Sequence, residues 1–271
     1  MIASDMDATL LDEQSQLPAD FEETIHALAE LGIRFAPASG RPLYTLEAMF
    51  PTLQDELVFI GDNGGAIRWK GQNLFTSEMS PEGWRALNRL TREQGDIAVL
   101  CGLESAYVER PFAVHDAVLR HFYTKIEYVD RLEDVTAPAD KFTIYLPQHN
   151  AQQAYDTVYA SQRSIYSVAV AGECWVDIMN PGVHKGAALQ TLGQLWGLPS
   201  ESIMAFGDTY NDAEMLQTVR YGFLMENGSE PLRQKVPFLA PSHREAGVMQ
   251  VLHRVLAQNG CVCPEDFVPA H

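Results

Sequence analysis

The sequence predicts a parallel α/β sheet interrupted by an inserted α+β unit, and three observations carry that prediction. Residues 1–60 alternate short apolar runs with helix-patterned stretches across short loops, the signature of a parallel sheet with crossover helices. After residue 79 the rhythm changes to β-rich runs broken by isolated helices, and from residue 180 the strand–helix alternation returns. The expected division is a core from 1–80 and 180–271, with an insertion over 81–179.

The chain opens on an apolar run from Met1 to Leu11, with Asp5 and Asp7 two residues apart near its end. If the run is a strand, the pleat sends both side chains to one side. Two carboxylates at a sheet need compensation, by a divalent metal, by a phosphate-bearing substrate with nearby cations, or by both. Residues 18–31 carry Phe21, Ile25, Leu28 and Leu31 at helical spacing, and Gly32 is a natural stop. The run 33–38 ends in Ser39-Gly40-Arg41-Pro42, where Pro42 suits the first turn of a helix reaching about Phe50. A third strand, 57–60, ends in Gly61-Asp62-Asn63-Gly64-Gly65. Loops after the carboxyl ends of such strands make the site of a parallel sheet, and the Asp5, Ser39 and Asn63 loops all fall there.

Residues 66–69 and 73–76 flank Lys70-Gly71-Gln72 as a hairpin. Ser80 is placed to cap a helix over 84–94. Within the insertion, strands are expected at 97–101, 106–109, 141–146, 167–171 and 174–179, and helices near 114–123 and 150–161. Asn180-Pro181-Gly182 marks the return, and His184-Lys185-Gly186 opens a helix running to about Trp196. A strand at 203–206 runs straight into Gly207-Asp208-Thr209-Tyr210-Asn211-Asp212. Strands near 221–224 and 238–240 and a helix from Glu245 to about Gln258 complete the sheet, leaving the last ten or so residues as a loose tail.

Composition narrows the function. With 46% apolar residues the chain can bury a sizeable core. Its 36 acidic against 19 basic residues, a net charge of −17, argue against sequence-independent binding to nucleic acid or to an anionic membrane. An anionic substrate would need a local cationic site. No apolar run approaches a membrane span, and no basic region leads into an apolar signal core. Cys101 and Cys174 read as small buried hydrophobes, and Cys261-x-Cys263 lacks a second pair for zinc. The expected compartment is the cytoplasm; the oligomeric state is open.

Four islands then stand out: Asp5-x-Asp7, Ser39-Gly40-Arg41, Lys185-Gly186 and Gly207-Asp208-x-x-Asn211-Asp212. Each alone is ordinary, since Asp-x-Asp suits a turn and a Lys at a helix start is usually solvated. Together they supply carboxylates for a Mg²⁺ site, a hydroxyl and helix-start amides for phosphate oxygens, and a cation for developing charge.

In this order and context the islands resemble the four motifs of the haloacid dehalogenase superfamily of phosphohydrolases. Asp5-Met6-Asp7-Ala8-Thr9 is similar to its Asp-x-Asp-Gly-Thr, Ser39 to its second-motif Ser/Thr, Lys185 to its third-motif Lys, and Gly207 to Asp212 to its Gly-Asp-x-x-Asn-Asp. The insertion's position, between Asn63-Gly64 and Pro181-Gly182-Val183-His184-Lys185-Gly186, resembles the Cof-type subfamily (class IIB) with a C2 cap. The resemblance implies a Rossmann-like core and a Mg²⁺-dependent phosphatase acting on a small phosphorylated metabolite, a sugar phosphate or a nucleotide-like phosphomonoester. It implies Asp5 as nucleophile, Asp7 as acid and base, and Ser39 and Lys185 as phosphoryl ligands supported by Gly40 and Arg41. Asn211 would orient Lys185 or phosphate. Mg²⁺ would sit on the Asp5 carboxylate, the Asp7 main-chain carbonyl and the Asp208 carboxylate, with Asp212 an outer ligand or an orienter of water.

Two departures stand out. Ala8 replaces the usual Gly, and Asp62 and Gly65 vary the usual Glu-Asn-Gly-Ala around Asn63. A phosphomutase and a non-catalytic binder of phosphorylated metabolites are the alternatives. His184 beside Lys185 is a weaker candidate for substrate contact, and Trp84, Tyr107, Phe122, Tyr145 and Trp175 are expected in the cap interior.

Overall fold

The computed structural model describes residues 1–271. Its elements in chain order begin with β1 (Ile2–Ser4), α1 (Phe21–Glu30), β2 (Phe35–Pro37), α2 (Leu43–Ala48), β3 (Val58–Gly61), β4 (Ala66–Trp69) and β5 (Gln72–Thr76). The inserted segment holds α3 (Pro81–Gln94), β6 (Ile97–Gly102), β7 (Ala106–Glu109), α4 (Asp116–Phe122), β8 (Ile126–Val129), β9 (Ala139–Tyr145), α5 (Ala151–Asp156), β10 (Ser167–Val170) and β11 (Trp175–Met179). The chain then continues through α6 (Lys185–Trp196), β12 (Met204–Gly207), α7 (Ala213–Thr218), β13 (Tyr221–Met225), α8 (Glu230–Arg233), β14 (Phe238–Ala240), α9 (Gly247–Ala257) and β15 (Val268–Pro269).

The main sheet runs β15-β14-β13-β12-β1-β2, parallel except for β15. A parallel bridge between Ala38 and Ile60 joins it to the three-stranded sheet β3-β4-β5. Strand β1 lies between β2 and β12, so successive crossovers leave it in opposite directions. That reversal opens a crevice at the carboxyl ends of the strands, where Asp5 and Asp208 emerge.

The segment 97–179 forms its own six-stranded sheet, β10-β11-β9-β6-β7-β8, antiparallel apart from β7 with β8. Alternation sorts its two faces. Ala98, Leu100, Phe142, Ile144, Val176 and Ile178 pack beneath Trp84 and Leu87 of α3 and Ala151 and Ala154 of α5. The opposite face carries Ile97, Val99, Cys101, Tyr145 and Trp175 and, in register with them, Lys141, Thr143 and Asp177. This second face looks onto the main sheet's crevice. Both crossings are tied down by side-chain and main-chain bonds, from Asn180 Nδ2 to Ser77 and Glu78 carbonyls and from Met79 N–H to Ala139.

Three expectations fail, each for a physical reason. Asp5 and Asp7 do not share a strand face, because β1 ends at Ser4 and both residues lie beyond it. Asp7 (φ −73°, ψ 131°) and Ala8 (φ 57°, ψ 14°) break a wide turn over Met6–Leu10. The tail is not loose: Phe267 is buried edge-on to Phe223 at 5.0 Å, and β15 pairs with β14. A short half-buried strand, β8, lies where none was expected; its Ile126 and Tyr128 offer too brief an alternation to read.

Candidate active site

The crevice opens into a cavity of about 580 Å³. Its floor is Asp5, Asp7, Ala8, Ser39 and Asp208, and its roof comes from the inserted sheet. Beneath this floor the buried Lys185 ammonium donates to Asp5 Oδ1 at 2.5 Å and to Asp212 Oδ1 at 2.7 Å. The other oxygen of Asp212 accepts the Asp208 and Thr209 amides at 3.0 and 3.2 Å. Asp212 is thus fully engaged, and it ties the lysine to the loop that carries Asp208. Gly207 makes this possible, since a Cβ there would lie 2.5 Å from Asp212 Cβ and 2.7 Å from its Oδ2.

Carboxylate atoms of Asp5, Asp208 and Asp212 lie within 4.8 Å of one another, all buried. Three carboxylates against one ammonium leave excess negative charge. Burial, and then Asp212, raise the Asp5 carboxyl well above the usual range against the pull of Lys185. The same two causes push Asp208 up to about 7. Burial works against the charge of Lys185, but Asp212 and Asp5 outweigh it and hold the ammonium above its ordinary value. Hard oxygen ligands, partly free on Asp5 and Asp208, with uncompensated charge fit Mg²⁺. The side chain of Asp7 stands apart from this cluster.

Asp7 pairs instead with Arg41, whose Nη1 and Nη2 reach its two oxygens at 2.6 and 2.9 Å. The guanidinium expected to support phosphate is thereby given to Asp7. Ser39 is buried, and its Oγ accepts the Arg41 amide at 3.1 Å, which leaves its O–H pointing to no protein acceptor. Asn211 does not touch Lys185: its Oδ1 accepts from Thr209 and its Nδ2 approaches Asn63 Oδ1 at 3.4 Å. His184 is a helix cap, its Nδ1 accepting the Ala187 amide at 3.1 Å. Gly64 (φ 98°) lets the Asn63 loop press against that cap, since a Cβ would lie 2.6 Å from the His184 carbonyl oxygen.

The roof contributes residues that the four islands omit. Phe122 and Trp175 line the cavity as well as packing in the cap, with ring centroids 5.1 Å apart. Lys141, Thr143 and Asp177 line it too. The signal for them was charge within β-runs: Asp-Lys-Phe-Thr-Ile-Tyr carries two charged residues and Trp-Val-Asp-Ile-Met one, which no solvated strand face explains.

A family model described as haloacid dehalogenase-like hydrolase matches residues 2–252. The chain belongs to the haloacid dehalogenase-like hydrolases. Within them it is a hydrolase of phosphoric monoesters. It is similar to 5-amino-6-(5-phospho-D-ribitylamino)uracil phosphatase YbjI of Escherichia coli K12, 31% identical over 94% of this chain and 96% of that one. It is also similar to the HMP-PP phosphatase of Cronobacter sakazakii, 30% identical over 88% of each. The solved structure of SMU.1108c from Streptococcus mutans superposes with TM-score 0.86 at 28% identity, covering 94% of this hydrolase and 98% of that chain. The subclass IIB sugar phosphatase BT4131, at 19% identity and TM-score 0.79 over 93% of this chain and 97% of that one, shares the fold, cap included.

Proposed function

We propose that this hydrolase is a Mg²⁺-dependent phosphatase of a small phosphorylated metabolite, turning over through an aspartyl phosphate on Asp5. The observation that carries the reading is the buried Lys185 held between Asp5, on the floor of the cavity, and Asp212 beneath it. Asp5, Asp208 and the main-chain carbonyl of Asp7 would hold the ion, with Asp212 outside them. Bound there, Mg²⁺ would offset the charge of Asp5 and of the phosphoryl oxygens.

The chain's own residues then divide the work. Asp5 attacks phosphorus in line, forming the O–P bond as the bond to the leaving oxygen breaks. Asp7, with one oxygen released by Arg41 and protonated, gives that proton to the leaving oxygen, then takes one from the water that cleaves the acyl phosphate. Arg41 aims the Asp7 carboxylate. Lys185 neutralises charge on the transferring group, and the free O–H of Ser39 donates to a phosphoryl oxygen. Residues 1–80 and 180–271 act as the catalytic core, and the cap over 81–179 excludes water. The setting is cytoplasmic, in keeping with four free thiols.

The leaving group is a sugar or a nucleotide-like moiety. Three relatives are named 5-amino-6-(5-phospho-D-ribitylamino)uracil phosphatases, and the Phe122–Trp175 wall suits a planar ring. That compound is the first to assay, within a panel read by phosphate release with Mg²⁺. Asp5→Asn should abolish release with the fold intact, and retained turnover would refute the nucleophile. An unchanged Mg²⁺ titration in Asp208→Ala would remove Asp208 from the metal site.

A further inference from the structure

Lys141 is a wholly buried cation that this mechanism leaves unused. It stands on β9 of the cap, yet its Nζ donates to the carbonyl of Gly40 in the core at 2.5 Å. Its charge is met by Asp62 of the core at 3.0 Å and by Asp177 of the cap at 3.6 Å. Asp177 is itself held by Thr143 Oγ1 at 2.9 Å and by Asn63 Nδ2 at 3.0 Å.

The bond to Gly40 completes a pattern. Three consecutive carbonyls run through the phosphate loop. That of Ser39 accepts the Asn63 amide and that of Arg41 accepts the Asp62 amide, both at 2.9 Å. Only the middle one, of Gly40, is satisfied by a side chain, and that side chain comes from the cap. The same peptide unit has its N–H, on Arg41, bonded to Ser39 Oγ at 3.1 Å. Lys141 therefore grips one end of the peptide whose other end sets the Ser39 hydroxyl, and the next residue along is the Arg41 that aims Asp7. We propose that Lys141 is a positioning residue for phosphoryl transfer, which transmits the seating of the cap through the Gly40–Arg41 peptide to the Ser39 hydroxyl.

A plain inter-unit ion pair would be served by Asp62 and Asp177 alone and would not need the Gly40 carbonyl. A group that reads the leaving moiety would act only on substrates with a large one. Both differ measurably from a relay to the phosphoryl site. The inference rests on the phosphatase reading above; a wild-type chain that releases no phosphate from any ester would defeat that reading first.

The test uses p-nitrophenyl phosphate, whose small leaving group demands little of the cap, and inorganic phosphate as inhibitor. Lys141→Met is paired with Asp62→Asn so that one charge of each sign is removed, and Asp62→Asn alone is the reference. The pair should lower kcat at least about tenfold and weaken phosphate inhibition by a similar factor, as misplacing a binding group by a fraction of an ångström does. In a Ser39→Ala background the same change should cost less than about threefold, because the relay has lost its far end. Should the paired variant not fold, Lys141→Arg keeps the buried charge but moves the donor, and must show the same Ser39-dependent loss. An active wild type with variants that fold and keep kcat within about threefold would overturn the proposal. So would a loss confined to large leaving groups, or a loss that adds in full to that of Ser39→Ala.

Discussion

Gly207→Ala is the sharpest single perturbation of this site. The methyl group would enter at 2.5 Å from Asp212 Cβ, 2.6 Å from its Cγ and 2.7 Å from its Oδ2. Ordinary carbon–carbon contact is about 3.5–4.0 Å, so Asp212 must withdraw by roughly 1 Å. Its bonds to Lys185 at 2.7 Å and to the Asp208 and Thr209 amides at 3.0 and 3.2 Å would then pass beyond hydrogen-bonding range. Overpacking of this kind costs about 1–3 kcal/mol of stability. The catalytic cost should be larger: with Lys185 unmoored on one side, a displacement near 1 Å predicts a loss in kcat on the order of 100-fold. Steady-state phosphate release with Mg²⁺ measures the rate, and thermal unfolding followed by circular dichroism measures the fold. A folded variant with kcat within about threefold of wild type would show that Asp212 does not position Lys185 for the reaction.

Three further outcomes are expected. Ala8 holds φ 57°, a left-handed conformation in which an L-residue costs about 1–2 kcal/mol against the roughly 0.5–1 kcal/mol entropic cost of Gly; Ala8→Gly should therefore raise the unfolding midpoint slightly, and a clear fall would refute the strain argument. Asp140 is buried with both oxygens lacking a donor, and burial, then the Asp62 carboxylate, hold its carboxyl well above the usual range. Its folded form thus keeps a proton that the unfolded chain releases, and wild-type stability falls as pH rises above the ordinary carboxylate value. Asp140→Asn escapes that loss, so its midpoint should gain on wild type as pH rises above about 4; parallel curves would count against it. Burial pushes the Cys101 thiol up to about 12, whereas Cys261 and Cys263 are exposed. Native protein at about pH 8 should expose the latter two to Ellman's reagent and release Cys101 only on unfolding.

Much of this molecule was legible in its residue order. The β-strand rhythm, the insertion and the four islands could be read because each lies where an apolar run meets a turn, and such local signals need no partner to be seen. Asp5, Lys185, Asp208 and Asp212 do converge within one buried cluster. The shared strand face assumed for Asp5 and Asp7 was an error of the same local reasoning, since where a strand stops depends on the sheet it joins.

The remainder was decided in three dimensions. The tail docks because Phe267 finds the aromatic cluster of Phe223 and Phe238, residues far away in sequence. Arg41 turns to Asp7 and Asn211 to Asn63, choices that rest on distances no spacing encodes. Lys141 reads in sequence as a charge at the head of a strand, and only the seating of cap on core reveals its grip on Gly40. The chain's order thus determined which chemical groups this hydrolase possesses and at which strand ends they lie. Tertiary structure decided which of them share a bond, because a buried charge takes whichever partner the packed backbone brings within reach.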